Sequence, residues 1–236
     1  MIVTELSKGT KLYLLVGGKG ERLSSITNGH PKPLVDVNDR PFISYVLDDL
    51  KGFDITLVCS DSTYEYFKYY RILGLDVLNE GDRCGTGGFL MKLGLEAPDS
   101  FYVMNGDSYF TGDLNLDVDK STIFVAEEDV TDDVGYIKGK DGKVEGFVEK
   151  NPNASGKELV NLGIYKFYKK DITLPMRLPI SIEYDILPNM ELEYKVLILS
   201  DLTLVHPKDW RILKHGYPFS WCDWKHRKES RRKRRR

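Results

Sequence analysis

"LYLLVGGKGERL" occupies Leu12–Leu23. Its apolar half stops at Gly17-Gly18, and charge follows at Lys19, Glu21 and Arg22. A short apolar run closed by glycine predicts a strand buried on both faces, here over Lys11–Val16. Gly17, Gly18 and Gly20 predict a tight turn. Without Cβ atoms, its N–H groups can approach phosphate oxygens. Arg22 offers a permanent, bidentate cation to the same oxygens. The spacing is neither the Walker loop nor the Rossmann G-x-G-x-x-G. An ordinary turn after a core strand would carry the same glycines.

Working outward, strands and helices alternate. Pro41–Leu50 places Phe42, Ile43, Val46, Leu47 and Leu50 at helical spacing. Ile55–Ser60 reads as a second buried strand, and Thr63–Leu73 as a helix capped by Asp61 or Ser62. A third strand follows over Leu75–Leu78. "GTGGFLMKLGLE" opens on glycines and continues as a helix, and Phe101–Phe110 holds a fourth strand ending at Asn105-Gly106. Such alternation predicts a parallel sheet with right-handed crossovers. After it the pattern changes. Thr122–Glu127, Gly135–Lys138, Val144–Lys150 and Leu159–Tyr168 all read as strands, with Asp141-Gly142 as a hairpin turn. "ISIEYDILPNM" reads as a short helix stopped near Pro188, Tyr194–Ser200 as a late strand, and Pro207 as the start of a last helix. The expected fold class is α/β. It is a Rossmann-like, mixed and mainly parallel sheet flanked by helices, with an added antiparallel part. Residues 1–224 read as one domain.

Composition fits that reading. The chain has 236 residues, 41% hydrophobic and 30% charged, ordinary for a soluble globular protein. No apolar stretch is long enough for a membrane span. The opening "MIVTELSKGTK" lacks an apolar core after a basic start, so no secretory leader is expected. Cys59, Cys84 and Cys222 are far apart, which points to reduced thiols and a cytoplasmic location rather than zinc or disulfides. The net charge of −2 hides an asymmetry. Residues 225–236, "KHRKESRRKRRR", hold nine Lys/Arg and one Glu, so the tail carries +8 and the remainder −10. This tail is expected to be disordered, and either contacts an anionic surface or is simply solvated. The acidic body argues against a nucleic-acid binder.

The second informative stretch is "HPKPLVDVNDRPFI". Lys32 lies between Pro31 and Pro33, which fix its backbone, and a lysine held this way suits a phosphate. G-G-x-G-x-R-L followed by P-K-P-L resembles the signature of the sugar-1-phosphate nucleotidyltransferases. "GTGG" (Gly85–Gly88) resembles that family's base-binding turn, and "NGDSYF" the stretch with its metal-binding aspartate. "FVEK" (Phe147–Lys150) and "NLGIY" (Asn161–Tyr165) resemble its sugar-binding segments. The five motifs stand in family order over nearly the whole chain before the tail. Within the family the likeness is nearest to small guanylyltransferases of D-glycero-D-manno-heptose 1-phosphate and mannose 1-phosphate. Uridylyl- and cytidylyltransferases share the loop and the size.

The resemblance implies an enzyme of the nucleotide-diphospho-sugar transferase fold that takes a nucleoside triphosphate, GTP by nearest likeness, and a sugar 1-phosphate. It releases pyrophosphate and forms a nucleotide-sugar, with Mg²⁺ as cofactor. Gly17, Gly18 and Gly20 would wrap the triphosphate, and Arg22 would hold its β- and γ-phosphates. Lys32 would contact the α-phosphate and the attacking phosphate. Gly85 and Gly88 would admit the base and ribose. Asp107 would bind the metal. Gly135, Glu149 and Asn161 would hold the sugar, and Lys150 its phosphate. Plainer roles exist for several: Asp107 as a turn cap, Glu149 and Lys150 as a solvated strand end, Asn161 as a backbone partner. Two departures stand out. Glu21 replaces the family's threonine, and Thr203 stands where the second metal aspartate belongs. Asp201, two residues earlier on the same strand face, is the candidate replacement. Without it, a nucleotide-sugar-binding relative with little catalysis is the alternative. Glu183 and Asp185 are fallback carboxylates, more simply a helix surface. Cys84 is expected to be a passive neighbour of the glycine turn. The oligomeric state is open, a homo-oligomer included.

Overall fold

The computed structural model describes residues 2–3, 9–18, 29–37, 39–109, 113–130, 135–149, 151, 153 and 155–198. Gly20, Arg22, Lys150, Asp201, the helix expected at Pro207 and the basic tail lie outside them.

A nine-stranded sheet organises the described chain. Its parallel part is built from β1 (Lys11–Leu15), β2 (Asp54–Cys59), β3 (Asp76–Asn79) and β4 (Ser100–Asn105). These lie side by side in the order β3-β2-β1-β4. Three helices connect them: α1 (Phe42–Asp49), α2 (Asp61–Phe67) and α3 (Gly88–Leu93). The chain runs outward from β1 through α1 and α2, then returns through α3 to the other side of β1. The two directions use opposite faces, as right-handed crossovers require. Leu12 and Leu14 of β1 pack with Ile43, Val46 and Phe67 of α1 and α2. Tyr13 packs with Phe89 and Leu90 of α3. One apolar strand thus feeds two cores through its two-residue alternation.

The local signals hold with small shifts. α1 begins after Pro41, whose fixed φ suits the position. α2 is capped by Ser60 rather than Asp61 or Ser62. Ser60 and Thr63 form a capping box, with Ser60 N–H donating to Thr63 Oγ1 at 3.1 Å. The helix gives way at Lys68 to a 3-10 turn over Lys68–Leu73. Arg71 Nη2 donates to Val77 O at 2.8 Å, and Lys92 Nζ donates to Asn79 O. Two cations therefore cover the open edge of β3.

The antiparallel part adds β5 (Thr122–Asp129), β6 (Tyr136–Lys140), β7 (Lys143–Val148), β8 (Lys157–Tyr168) and β9 (Glu193–Val196). β8 joins the halves by pairing with β4 and β5. β6 and β7 form the expected hairpin, with φ of 51° at Asp141 and 80° at Gly142, the backbone of a type I′ turn. β6 also pairs with β8, and β7 meets β9 at Lys143 and Glu193. β9 runs parallel to β5. The five added strands therefore close on themselves beside the parallel sheet. The segment expected as a helix after Ser181 is instead one π-helical turn, Ile182–Ile186, followed by a 3-10 turn, Leu187–Asn189. Its first N–H groups are held by side chains: Ile182 N–H by Thr86 Oγ1 at 2.8 Å and Ser181 N–H by Asp185 Oδ2 at 2.8 Å. Pro188 has no N–H to extend it. Among the described residues no helix is long and apolar enough to cross a membrane.

Candidate active site

The strand order reverses between β1 and β4, and in open α/β sheets the crevice beyond the strand ends at such a point is where ligands bind. Here the end of β1 stays paired past the strand, to β4 on one side and to β2 on the other. Gly106 N–H donates to Leu15 O at 2.9 Å, and Val16 N–H to Val58 O at 2.8 Å. A cleft of about 590 Å³ opens above them. It is lined by the end of β1 with Gly17 and Gly18, by Lys32 and Ser60, by the turn Glu80–Thr86, and by Asn105 and Asp107.

The two described glycines of the opening loop differ. A Cβ on Gly17 would lie 2.9 Å from Ser60 N and 3.3 Å from the Cys59 carbonyl carbon. The absence of a side chain there is already required by packing against the end of β2. Gly18 is exposed, and a Cβ there would meet nothing within 4 Å. Gly18 is therefore the described glycine whose open face serves the cleft.

Lys32 begins a 3-10 turn, Lys32–Leu34, between its two prolines, and Pro33 is buried. Its ammonium meets Asp107 Oδ2 at 3.2 Å across 75 residues of sequence, with side-chain exposures of 19% and 42%. Two residues that the sequence assigns to phosphate and to metal are thus brought together at the mouth of the cleft. The plainer role of Asp107 as a turn cap is not what the structure records for this oxygen.

The cleft's far wall is the turn after β3. Gly81 N–H donates to Asn79 Oδ1 at 2.9 Å, Ser62 N–H to Asp82 Oδ1 at 3.2 Å, and Cys84 Sγ to Glu80 O at 3.1 Å. Burial, then the nearby Glu80, raise the Cys84 thiol, which makes it a poor nucleophile. Burial also pushes Glu80 up from 4.5 to about 7, against the Phe89 N–H and Lys92, which pull it down. The glycines that follow are fixed by packing. Gly85 has φ +78°, and a Cβ on it would run into the Ile180 carbonyl. Gly87 N–H donates to Ile180 O and Ile180 N–H to Cys84 O, both at 2.8 Å. Gly85 reaches the cleft, whereas Gly88 is buried, where a Cβ would run into Cys84 Cβ. Gly88 therefore seats α3 and does not itself line the cleft.

A second, smaller pocket of about 100 Å³ gathers the residues expected to hold a sugar. Gly135, Glu149 and Asn161 line it, with Glu183, Tyr184 and Pro188. Gly135 O accepts from Asn161 N–H at 2.9 Å, and a Cβ on Gly135 would run into the Glu149 carboxylate. Asn161 has a double use. Its Oδ1 accepts from Gly163 N–H at 2.8 Å, where β8 bulges, and its Nδ2 donates to Tyr165 OH at 2.9 Å. One amide N–H and one lone pair remain for the pocket.

Glu183 is the residue that sequence reasoning misplaced. It sits on the π-helical turn and lines the small pocket, whereas Asp107 lines the cleft. Its Oε2 accepts from Ser181 Oγ at 2.8 Å and from Thr86 Oγ1 at 3.0 Å, and Tyr165 OH approaches Oε1 at 3.5 Å. Burial first, then the Glu183 charge, hold the Tyr165 phenol well above its usual range, so it acts as a neutral donor. Thr86 lines the cleft and Glu183 lines the pocket. The chain Thr86–Glu183–Tyr165–Asn161 therefore connects the two sites. Its key contact spans 97 residues, and no local pattern announces it.

Residues 11–74 match the family model described as nucleotidyl transferase. A D-glycero-alpha-D-manno-heptose 1-phosphate guanylyltransferase of Campylobacter jejuni is 33% identical over 168 residues, covering 66% of this chain and 75% of that protein. A mannose-1-phosphate guanylyltransferase catalytic subunit beta of Drosophila pseudoobscura pseudoobscura is 29% identical over 231 residues, 87% of this chain and 62% of that one. HddC from Yersinia pseudotuberculosis, solved in complex with GMP-PN, superposes with a TM-score of 0.69 at 27% identity, over 86% of this chain and 97% of its own.

Proposed function

The chain belongs to the nucleotidyl transferase family, and on that premise we propose that it transfers a guanylyl group from GTP to a manno-type sugar 1-phosphate, heptose or mannose. Pyrophosphate leaves and a GDP-sugar forms. The observation that carries this reading is the meeting of Lys32 with Asp107 at the switch point, in the wall of a nucleotide-sized cleft whose Thr86 is hydrogen-bonded to Glu183 of a small pocket also lined by Glu149 and Asn161.

The chemistry asks little of a general base. An oxygen of the sugar phosphate is already anionic. It attacks the α-phosphorus, and the bond to the bridging oxygen of pyrophosphate breaks. The protein's task is to hold two polyanions in line and offset their charge. Lys32 supplies a cation to the α-phosphate and the incoming phosphate. The backbone at Gly17 and Gly18, with Gly20 and Arg22, holds the remaining phosphates. Gly85 lets the base approach the backbone of its turn. Gly135 N–H, Glu149 and Asn161 hold the sugar, and Lys150 its phosphate.

Asp107 fits a magnesium ion. It is a hard, partly exposed carboxylate in the cleft, and Mg²⁺ is commonly held by one or two carboxylates plus substrate phosphates. Asp201 is the proposed second ligand. When bound, the ion offsets phosphate charge. The test is pyrophosphate release with Mg²⁺ across GTP, UTP, CTP, ATP and dTTP, each with a panel of sugar 1-phosphates including mannose and manno-heptose. Release with GTP and a manno-sugar is expected. Release with a different nucleotide would correct the base, and none from any pair would leave a nucleotide-sugar-binding relative.

A further inference from the structure

Arg83 stands out in the wall of the cleft. Three described residues other than glycine have φ in the left-handed region: Asp39, Arg83 and Asp141. Aspartate tolerates that region by local hydrogen bonding, and arginine has no such compensation. At Arg83, φ is 56°. Strain of this kind persists where the surroundings over-determine it, and it gathers at ligand sites. The surroundings here do so. Gly81, Asp82 and Cys84 are each tied down by the hydrogen bonds described above, and Ile180 N–H holds Cys84 O at 2.8 Å. Arg83 alone among these makes no hydrogen bond or ion pair with the described residues, and it lines the cleft with its charge free.

Its place in the sheet says which part of a ligand it meets. The phosphate-holding residues stand at the ends of β1 and β4. Arg83 follows β3, two strands away from β1. With neighbouring strands about 4.8 Å apart, the turn starts about 10 Å from Gly17 and Gly18. That is the base end of a nucleotide laid across the strand ends. A guanidinium only donates. Guanine presents two adjacent acceptors, O6 and N7, along one edge, whereas adenine pairs its N7 acceptor with an N6 donor.

We propose that Arg83 is the residue that selects the base, its guanidinium donating two parallel hydrogen bonds to O6 and N7 of guanine. The inference rests on the nucleotide-cleft reading above and adds the origin of its specificity. The strained backbone holds the guanidinium at the rim. With no partner among the described residues, both donors are left for the base.

The test is equilibrium binding of GMP, AMP and 7-deaza-GMP by calorimetry to the full chain, to Arg83→Ala and to Arg83→Gly. Monophosphates remove the β- and γ-phosphates from the comparison. The glycine variant suits the left-handed backbone and guards against a folding artefact. Wild type is expected to prefer GMP over AMP and to bind 7-deaza-GMP about tenfold more weakly than GMP. Both variants should lose about 10- to 100-fold in GMP affinity, change less than about twofold for AMP, and cease to distinguish the deaza analogue. Equal weakening of GMP and AMP would place Arg83 on the phosphate and overturn the proposal. Unchanged affinities would make it a solvated arginine and overturn the proposal equally. An Arg83-dependent preference for GMP without pyrophosphate release from any sugar 1-phosphate would sink the transferase reading and leave this one standing.

Discussion

Replacing Glu80 with glutamine removes an ionisation that the fold disfavours. One oxygen of this carboxyl, Oε2, is buried without a hydrogen-bond partner, and burial raises its pKa from 4.5 to about 7. The folded chain therefore binds the proton more tightly than the unfolded one. Stability from this group is fully present below pH 4.5 and is lost as pH rises through about 7. At 1.36 kcal/mol per pH unit, the gap has a ceiling of about 3 kcal/mol. Contact with the open cleft screens part of it, so about 1.5–3 kcal/mol is the working range. Urea unfolding of wild type and Glu80→Gln at pH 5 and pH 8 reads it out. The wild type should lose that much stability relative to the variant between the two pH values. Parallel profiles would refute the reasoning, because a glutamine cannot titrate and only a carboxyl held near neutrality makes the curves diverge.

The other expectations concern the site. Gly17→Ala should cost about 2 kcal/mol or more, since its Cβ meets backbone at Ser60, whereas Gly18→Ala should stay within about 0.5 kcal/mol and weaken triphosphate binding instead; denaturant curves beside GTP titrations separate the two. Lys32→Ala should lower kcat/KM about 100- to 1,000-fold while unfolding free energy changes by under about 1 kcal/mol, because its ion pair with Asp107 is partly exposed. Glu183→Gln keeps the shape but weakens the acceptor that Thr86, Ser181 and Tyr165 share. It should raise KM for the sugar 1-phosphate about tenfold and leave KM for GTP within about twofold, as initial rates would show.

The parallel half was legible because its strands are short, mostly apolar runs, α1 shows helical apolar spacing and α2 carries a capping residue. The Asp141-Gly142 hairpin was legible for the same reason, being set by two adjacent residues. What escaped is what depends on partners far away in the chain. "GTGG" reads as a ligand turn, yet Gly85 and Gly87 are glycines because Ile180 docks against them. Glu183 reads as a helix surface, yet its π-turn is shaped by Thr86 in the cleft wall, about a hundred residues earlier in the chain. Gly17 and Gly18 are adjacent and alike in sequence, and only the end of β2 tells them apart. Gly135, Glu149 and Asn161 line one pocket, since the motifs flanking them fix β6, β7 and β8 around it. Arg83 carries no signal in one dimension, because its backbone angle is invisible there.

The most direct test of the central claim follows the two ends of GTP. GTP labelled at the α-phosphorus and, separately, at the γ-phosphorus is incubated with the protein, Mg²⁺ and mannose 1-phosphate or the manno-heptose 1-phosphate. The account predicts that the α label enters a GDP-sugar and the γ label leaves as pyrophosphate, both abolished in Asp107→Ala. Label released as inorganic phosphate, or α label that never joins a sugar with any acceptor, would contradict it.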